Sequence, residues 1–219
     1  MFKKTTILIL SIISCASFAK EPKNIEFAKE QLIKYYESGE FAKDQTKIID
    51  KAMLFLKNRI AAENKKHSGK NLAVVLDIDE TSLSNYHDMK ELNFGGTDLE
   101  IDEREGKGTD SAIKPTLELY RYAKANNIAV FFVTGRHEKY REGTVKNLED
   151  VGFKNWDGLF LKPNDYSEKS ASPYKISTRK QIEDKGYIIA LNIGDQESDL
   201  VGKHAEKTFK LPNPYYHVP

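Results

Sequence analysis

The chain contains three apolar runs without polar alternation, and polar residues follow each of them. The runs are Ala73–Leu76, Ile128–Val133 and Tyr187–Ile193. Strands of a parallel sheet show this pattern when both faces of the sheet are covered, because every side chain then meets apolar neighbours. We therefore predict three buried parallel strands, with shorter strands at Gly158–Leu161 and Thr208–Leu211.

Helical patterns separate these predicted strands. Helices are expected over Thr116–Ala125, Glu138–Asp150 and Pro173–Lys185, and the last has a proline in its first turn and Gly186 just after its end. Strands that alternate with helices form a parallel sheet with helices on both faces and right-handed crossovers. The predicted fold class is therefore α/β.

Two further tracts flank the first predicted strand. Residues 20–66 have apolar side chains at helical spacing and a break at Gly39, which predicts a helical preface packed on the sheet. Residues 82–115 show no clear period and contain several glycines and acids. A long irregular segment inside a compact domain is usually functional, so we expect a small cap or lid insert whose acids are solvated.

The first 19 residues have the pattern of an export signal. Two lysines precede the apolar run Ile7–Ile13, which is too short to span a bilayer, and small residues follow it. Cleavage after Ala19 would release one domain, residues 20–219, as a periplasmic or secreted protein. The sequence Ile12–Cys15 also resembles a bacterial lipobox, in which Cys15 would carry a lipid anchor and tether the protein to a membrane. We favour soluble release.

Composition narrows the classes of partner. Lys and Arg total 34 against 33 Asp and Glu, and this balance argues against binding of a nucleic-acid polymer. Cys15 is the only cysteine, and no second transmembrane candidate occurs in the sequence. The exported domain would therefore be held together by its core, without disulfides. Its oligomeric state stays open between a monomer and a homodimer.

Oxygen-bearing side chains follow all three buried strands. Asp77 and Asp79 come after the first, Thr134 after the second, and Asp195 and Asp199 after the third. The carboxyl ends of parallel strands lie along one edge of the sheet, where ligands bind in open α/β folds. Clustered carboxylates at the edge of a dry core are costly unless a cation balances them. The sequence therefore predicts a site for Mg²⁺ and a phosphoryl group.

These motifs resemble those of a known superfamily. Three of them are similar to motifs I, II and IV of the haloacid dehalogenase (HAD) superfamily: Asp77-Ile-Asp79-Glu-Thr81, Val133-Thr134-Gly135-Arg136 and Gly194-Asp195-Gln-Glu-Ser-Asp199. The residues in these motifs are similar to those of subfamily IIIB, which includes class C bacterial acid phosphatases and plant vegetative storage proteins. The resemblance covers roughly residues 71–211 and implies a HAD-like Rossmannoid sheet.

The resemblance also implies catalytic roles. Asp77 would be the nucleophile that forms a phospho-aspartate, and Asp79 would be the general acid and base. The hydroxyl of Thr134 and the backbone amide of Gly135 would bind a phosphoryl oxygen.

A Mg²⁺ site is implied at the same place. The carboxylates of Asp77 and Asp195 and the backbone carbonyl of Asp79 would bind the ion. Asp199 would act from the second shell by holding a metal-bound water. Phosphoryl transfer depends mostly on positioning and on charge neutralisation, which such a site supplies.

The resembling superfamily also has a motif III, a lysine that screens the charges of the nucleophile and the phosphate. Several lysines of this sequence are candidates for it. They are Lys162, Lys169, Lys175 and Lys180. We assign Lys175 to catalysis and phosphate binding, because it opens the helix before the motif IV strand, as the corresponding lysine does in the resembling family. For Arg136, orientation of phosphate and a surface salt bridge both stay open.

Other polar and aromatic residues lie near the motifs in sequence. His87 and His137 are candidates for the pocket mouth, although an ordinary loop position is the simpler interpretation. Tyr86 and Phe94, in the predicted lid, and Trp156 are candidates for stacking on an aromatic leaving group or nucleobase. For Trp156 we favour core packing.

The sequence therefore predicts an exported Mg²⁺-dependent acid phosphatase, a phosphoric monoester hydrolase. What the resemblance implies for substrates is small phosphomonoesters, including aryl phosphates and nucleoside monophosphates. A signalling receiver domain is a weaker alternative, because the export signal and the Asp-x-Asp-x-Thr spacing disfavour it. A non-catalytic storage or ligand-binding protein on the same fold is the other alternative, and retention of Asp77 argues against it.

Overall fold

The structure is a computed structural model that describes residues 21–66 and 69–218. The predicted export signal, with its cleavage site and Cys15, lies outside these residues. The strands are β1 Asn71–Leu76, β2 Leu83–Ser84, β3 Ser111–Ala112, β4 Ala129–His137, β5 Gly158–Lys162, β6 Tyr187–Gly194 and β7 Lys207–Lys210. One sheet has the order β5-β4-β1-β6-β7 with every neighbouring pair parallel. β2 and β3 form a separate antiparallel pair.

Helices cover both faces of the main sheet. They are α1 Ile25–Glu37, α2 Glu40–Lys66, α3 Tyr86–Glu91, α4 Asp98–Lys107, α5 Lys114–Ala125, α6 Arg141–Asp150, α7 Ser172–Asp184 and α8 Glu197–Leu200. Alternate residues of β1 point to opposite faces. Val74 and Leu76 pack in a core that includes Leu56 of α2, whereas Val75 packs in a second core with Ile182 of α7. The predicted α/β fold is confirmed.

The helical preface forms as predicted, with Gly39 between α1 and α2 at a φ of 78°. The hydroxyl of Tyr35, on α1, donates to Asp44 of α2 at 2.8 Å. Among the described residues no helix is long and apolar enough to cross a bilayer.

The segment predicted to be irregular is largely regular. Residues 82–115 contain β2, β3, α3 and α4. Thr97 caps α4 through a capping box with Glu100, and Gly108 ends the helix in the left-handed conformation at a φ of 68°. The prediction failed because α4 is mostly charged and lacks an apolar stripe. Its acids are not all solvated either, since the side chain of Glu105 is only 13% exposed.

A glycine contact fixes α4 beside the end of β4. A Cβ on Gly143 of α6 would lie 2.1 Å from the carbonyl oxygen of Gly106, so only glycine lets α4 and α6 approach this closely. β4 itself continues to His137, four residues beyond the predicted end at Val133. The register of β4 against β5 shifts between Val133 and His137. Thr134, Gly135 and Arg136 therefore lie in an irregular part of the strand rather than after it.

An aromatic cluster joins the preface, the insert and the C-terminal segment. Its buried members are Phe41, Tyr86, Met89 and Tyr215. The ring of Tyr36 on α1 stacks on Tyr86 of α3 with centroids 3.4 Å apart. Tyr215 in turn packs against Phe41 and Phe94. These contacts attach the insert to both ends of the described chain.

Candidate active site

The candidate site lies where the sheet changes direction. From β1 the chain adds β4 and β5 on one side and then returns to add β6 and β7 on the other. Asp77 directly follows β1, and Asp195 directly follows β6. Ligands of open α/β sheets bind at such a switch point, beyond the carboxyl ends of the strands. A cavity of about 580 Å³ opens there, and both carboxylates line it.

Three carboxylates and one lysine form the floor of the cavity. Carboxylate oxygens of Asp77, Asp195 and Asp199 lie within 4.8 Å of one another, and all three residues are buried. Lys175 Nζ lies 2.7 Å from Asp77 Oδ1 and also donates to Asp199. We call these four residues the Lys175 cluster. It brings together four of the side chains predicted from the sequence.

Local structure holds the acids of this cluster in place. The turn after β1 is tight, because the carbonyl of Ile78 accepts hydrogen bonds from the backbone amides of Ser82 and Leu83 at 2.7 and 2.8 Å. On the other side, a Cβ on Gly194 would lie 2.3 Å from the Asp199 carboxylate. Only glycine at position 194 therefore leaves room for Asp199.

The electrostatics of the Lys175 cluster fit a divalent cation. With all three carboxylates ionised, the three acids and the one ammonium would carry a net charge of −2 in a buried space. Burial, with the Asp199 charge next, raises the pKa of Asp77 well above its usual range and the pKa of Asp195 to about 6. Burial opposes the charge on Lys175, but the Asp199 and Asp77 carboxylates outweigh it and raise its pKa. The donor set suits Mg²⁺, which takes oxygen ligands and would balance the excess charge.

A second cluster lies beside the first and consists of Arg136, Asp79, Glu105 and Asp110. We call these four residues the Arg136 cluster. Arg136 is 1% exposed, so of the two roles left open from the sequence, the surface salt bridge is wrong. Its guanidinium lies 2.7 Å from Asp79 Oδ1, 3.0 Å from Asp110 Oδ2 and 3.9 Å from Glu105 Oε2. It also donates to the Glu105 carbonyl at 3.0 Å and to Thr144 Oγ1 at 3.4 Å. Every guanidinium nitrogen therefore has an acceptor.

Asp79 is separated electrostatically from Asp77, although both line the cavity. Burial raises the pKa of Asp79, but the charge and hydrogen bonds of Arg136 and a hydrogen bond from Asn85 outweigh it and leave the pKa below its usual value. Asn85 Nδ2 lies 2.9 Å from Asp79 Oδ1. The two acids of motif I thus have pKa values shifted in opposite directions, that of Asp77 upward and that of Asp79 downward.

Motif II contributes a hydroxyl and an open backbone position. The Thr134 side chain is fully buried, and its Oγ1 accepts from the backbone amide of Arg136 at 3.0 Å. Thr134 itself is not among the residues that line the cavity. Gly135 lines the cavity, and the space around its Cα is open.

The remaining predicted residues divide into two groups. Lys162, Lys169 and His137 line the cavity, and His137 Nδ1 lies 3.1 Å from the carbonyl of Pro163. Lys180 is an exposed residue paired with Asp184 at 2.7 Å. His87 is exposed and is not part of the cavity lining.

The predicted stacking residues do not face the cavity. Tyr86 is 1% exposed and, with Phe94, belongs to the aromatic cluster. Trp156 packs against Phe132 in the main core, as favoured from the sequence. The stacking role is therefore wrong for Tyr86 and Phe94, because Tyr36 and Tyr215 cover Tyr86, and Phe94 packs against Tyr215.

Sequence reasoning missed several residues around the site and gave Thr81, which motif I includes, no role. Asn213 Nδ2 lies 2.8 Å from Asp195 Oδ2, and Thr81 Oγ1 lies 3.2 Å from Asp195 Oδ1. Tyr216, His217 and Val218 form part of the cavity wall. The Pro-Asn-Pro sequence at 212–214 was a signal of a fixed turn, but nothing in it indicated which strand end the turn would contact.

Comparison with known proteins identifies the family. The profile of the HAD superfamily, subfamily IIIB (acid phosphatase), matches residues 1–219. The chain therefore belongs to this family, and the enzyme class predicted from the sequence, phosphoric monoester hydrolase, is that of the family. The receiver-domain alternative is excluded.

Two plant relatives and one solved structure are similar to this chain. Acid phosphatase 1 of Solanum lycopersicum is 38% identical over 148 residues, 66% of this chain and 58% of the relative. Vegetative storage protein 1 of Arabidopsis thaliana is 35% identical over 150 residues, 66% of this chain and 55% of the relative. The chain thus spans little more than half of either relative.

The fold is that of a solved bacterial protein. The class C acid phosphatase from Bacillus anthracis superposes with a TM-score of 0.70 at 22% identity, covering 88% of this chain and 87% of that one. The predicted HAD-like fold is confirmed.

Proposed function

We propose that this protein is an exported, Mg²⁺-dependent acid phosphatase that hydrolyses small phosphomonoesters through a phospho-aspartate on Asp77. The observation that supports this function best is the Lys175 cluster. It places three buried carboxylates within 4.8 Å of one another at the floor of a cavity, with a lysine 2.7 Å from Asp77. A phosphoryl group would meet a nucleophile, a fixed cation and a metal site at one point.

The first step transfers the phosphoryl group to the protein. Asp77 attacks phosphorus, its oxygen forms a bond to phosphorus, and the bond from phosphorus to the ester oxygen breaks. Asp79 gives its proton to the departing alkoxide, which leaves as the alcohol. Thr134 and the amide of Gly135 hold a phosphoryl oxygen. Lys175 balances the charge on the transferred group.

The second step releases phosphate. Asp79, now ionised, takes a proton from water, and the resulting hydroxide attacks phosphorus. The bond between phosphorus and the Asp77 oxygen breaks, which restores the carboxylate and frees inorganic phosphate. Arg136 lowers the pKa of Asp79 in the free protein. The negative charge of a bound phosphomonoester raises it again, so the substrate itself favours the protonated acid.

The residues that would hold Mg²⁺ are Asp77, Asp195 and the backbone carbonyl of Asp79, and Asp199 would hold a water bound to the ion. The ion would supply charge neutralisation for the phosphoryl oxygens. Substrates in this proposal include aryl phosphates and nucleoside monophosphates. Export through cleavage after Ala19 is also proposed, and a lipid anchor at Cys15 and a homodimer stay predictions.

The decisive experiment measures p-nitrophenyl phosphate hydrolysis by residues 20–219. Wild type and Asp77→Asn are compared between pH 4 and 8, with Mg²⁺ and with a chelator. We expect metal-dependent turnover that falls by about 10⁴-fold or more in Asp77→Asn. Turnover that survives Asp77→Asn would assign the nucleophile to another residue.

A non-catalytic storage protein is the alternative function. The similarity to Vegetative storage protein 1 of Arabidopsis thaliana favours it. Folded wild type that binds Mg²⁺ but hydrolyses neither p-nitrophenyl phosphate nor nucleoside monophosphates would support this alternative. Retention of the complete Lys175 cluster argues for catalysis, because loss of one acid would suffice to abolish it.

A further inference from the structure

The C-terminal segment, residues 211–218, lies against the end of β6. The backbone amide of Leu211 donates to the carbonyl of Gly194 at 2.8 Å, and Lys210 Nζ donates to the carbonyl of Asp195 at 2.7 Å. The segment then turns at Asn213, whose amide nitrogen lies 2.8 Å from Asp195 Oδ2. Residues far along the chain from motif IV thus contact its first acid directly.

The orientation of the Asn213 amide is fixed by its own turn. Asn213 Oδ1 accepts from the backbone amide of Tyr215 at 2.9 Å and lies 3.4 Å from that of Tyr216. A backbone N–H can only donate, so the oxygen must face these groups and the NH₂ must face Asp195. Pro212 and Pro214 flank the residue and restrict its backbone before any ligand binds.

A second neutral amide joins the same carboxylate to the segment. Gln196 Nε2 lies 2.6 Å from Asp195 Oδ2, and Gln196 Oε1 accepts from the backbone amide of Val218 at 3.2 Å. Asp195 Oδ2 therefore accepts two hydrogen bonds, one from Asn213 and one from Gln196. Asp195 Oδ1 accepts one, from Thr81 at 3.2 Å.

The two Asp195 carboxylate oxygens therefore differ in their capacity to bind a cation. A carboxylate oxygen has two lone-pair sites, so Oδ2 is saturated while Oδ1 keeps one site free. Both amides are neutral and orient the carboxylate without cancelling its charge, unlike Lys175 beside Asp77. The arrangement therefore leaves Oδ1 as the Asp195 oxygen with a lone pair free for a cation.

We propose that Asn213, together with Gln196, is a positioning residue of the metal site. The two amides hold Asp195 so that Oδ1 binds Mg²⁺, and the C-terminal segment is thereby part of the active site. This inference rests on the metal dependence proposed above. Partners that orient a metal ligand typically contribute about 10- to 100-fold to affinity.

The test measures Mg²⁺ binding directly by isothermal titration calorimetry on residues 20–219. Asn213→Ser keeps an oxygen that can accept from the Tyr215 amide but is too short to reach Asp195. We expect its Mg²⁺ dissociation constant to rise about 10- to 100-fold. Gln196→Met keeps the length of the side chain without its polar atoms, and we expect a rise in the same range. Asn164→Ser is the matched control, because Asn164 accepts only a loop amide, from Lys139 at 2.8 Å.

The possible results separate the proposals. A Mg²⁺ dissociation constant within about twofold of wild type in a folded variant at Asn213 or Gln196 would overturn this inference. This holds even if the variant, treated with chelator, unfolds at a lower temperature than wild type. Lower stability with unchanged Mg²⁺ affinity would show a structural role only. If Asn213→Ser does not fold, Gln196→Met decides the test. Absence of Mg²⁺ binding by wild type would instead defeat the proposed metal dependence.

Discussion

The Lys175 cluster and the Arg136 cluster contain the same numbers of acidic and basic side chains, but they differ in how the basic side chain contacts the acids. Each gathers three carboxylates around one buried cation. The guanidinium of Arg136 offers five donors in a planar fork, and its nitrogens contact acids from the first strand end and the insert, a backbone carbonyl and Thr144. The ammonium of Lys175 is a point charge that contacts two acids, and Asp195 is held by neutral groups.

This difference shows that the same number of charged side chains can either hold the structure together or form a cation site. A saturated guanidinium leaves no position for a further cation, so the Arg136 cluster joins the insert to the sheet and fixes Asp79. The Lys175 cluster differs because its ammonium contacts Asp77 and Asp199 but not Asp195, which lines the cavity. It therefore suits a divalent ion, and its stability should depend on that ion, whereas the stability of the Arg136 cluster should not.

The largest effect is expected for Arg136→Met. Removing one partner of a buried ion pair leaves uncompensated charge, so the free energy of unfolding should fall by about 3–5 kcal/mol. Urea unfolding with chelator present measures it, and added Mg²⁺ should not restore the loss. Arg141→Met removes a guanidinium from a solvent-exposed pair with Glu138 and should cost about 1 kcal/mol or less. Equal losses in both variants would contradict the buried network.

A smaller effect is expected from Mg²⁺ itself. Free Mg²⁺ at about 100 times its dissociation constant should raise the free energy of unfolding of wild type by about 2.7 kcal/mol. Asp110→Asn, in the Arg136 cluster, should keep this increment. Asp195→Asn should lose most of it. Thermal unfolding with and without Mg²⁺ measures all three proteins, and an undiminished increment in Asp195→Asn would place the metal elsewhere.

Asp110 should also give the protein a specific pH dependence. Burial, more than the opposing Arg136 charge, raises the pKa of Asp110 from 3.8 to about 6. The folded state then binds a proton more tightly than the unfolded state, so this contribution to stability is present below about pH 4 and is lost as the pH rises through about 6. Relative to Asp110→Asn, wild type should lose about 2–3 kcal/mol between pH 4 and 7. A wild type that gains stability relative to Asp110→Asn as the pH rises would contradict this sign.

The smallest effects should come from two threonines, each of which contacts a side chain of one cluster. Thr144 Oγ1 lies 3.4 Å from Arg136, and Thr81 Oγ1 lies 3.2 Å from Asp195. Thr144→Val should lower the free energy of unfolding by about 1 kcal/mol and leave Mg²⁺ affinity unchanged. Thr81→Val should weaken Mg²⁺ binding as well. Calorimetry on both variants separates the two clusters, and equal Mg²⁺ affinities would remove the distinction.

The sequence predicted the Lys175 cluster better than the Arg136 cluster for a physical reason. Apolar runs locate buried parallel strands, and parallel strands place their carboxyl ends on one edge. Asp77, Asp195 and Asp199 could therefore be grouped by their positions after the apolar runs. Lys175 required the family resemblance in addition, because a lysine on a helix carries little pattern of its own.

The partners of Arg136 could not be found in the same way. Glu105 lies on α4, a charged helix whose position depends on a close glycine contact with α6. Asp110 follows that helix. The misplaced stacking role of Tyr86 has a related cause, because its covering residues, Tyr36 and Tyr215, come from opposite ends of the described chain. Local sequence patterns do not encode contacts of that separation.

The aromatic cluster also determines when the fold can be completed during synthesis. Phe41 is translated early and Tyr215 near the end of the described chain, yet their rings pack with centroids 5.5 Å apart. Contacts of high sequence separation form late and slow folding, because a long loop must close first. A growing chain therefore leaves exposed the surfaces of Phe41 and Tyr86 that Tyr215 covers until Tyr215 has emerged. Throughout that interval it offers chaperones an apolar surface that the finished protein buries.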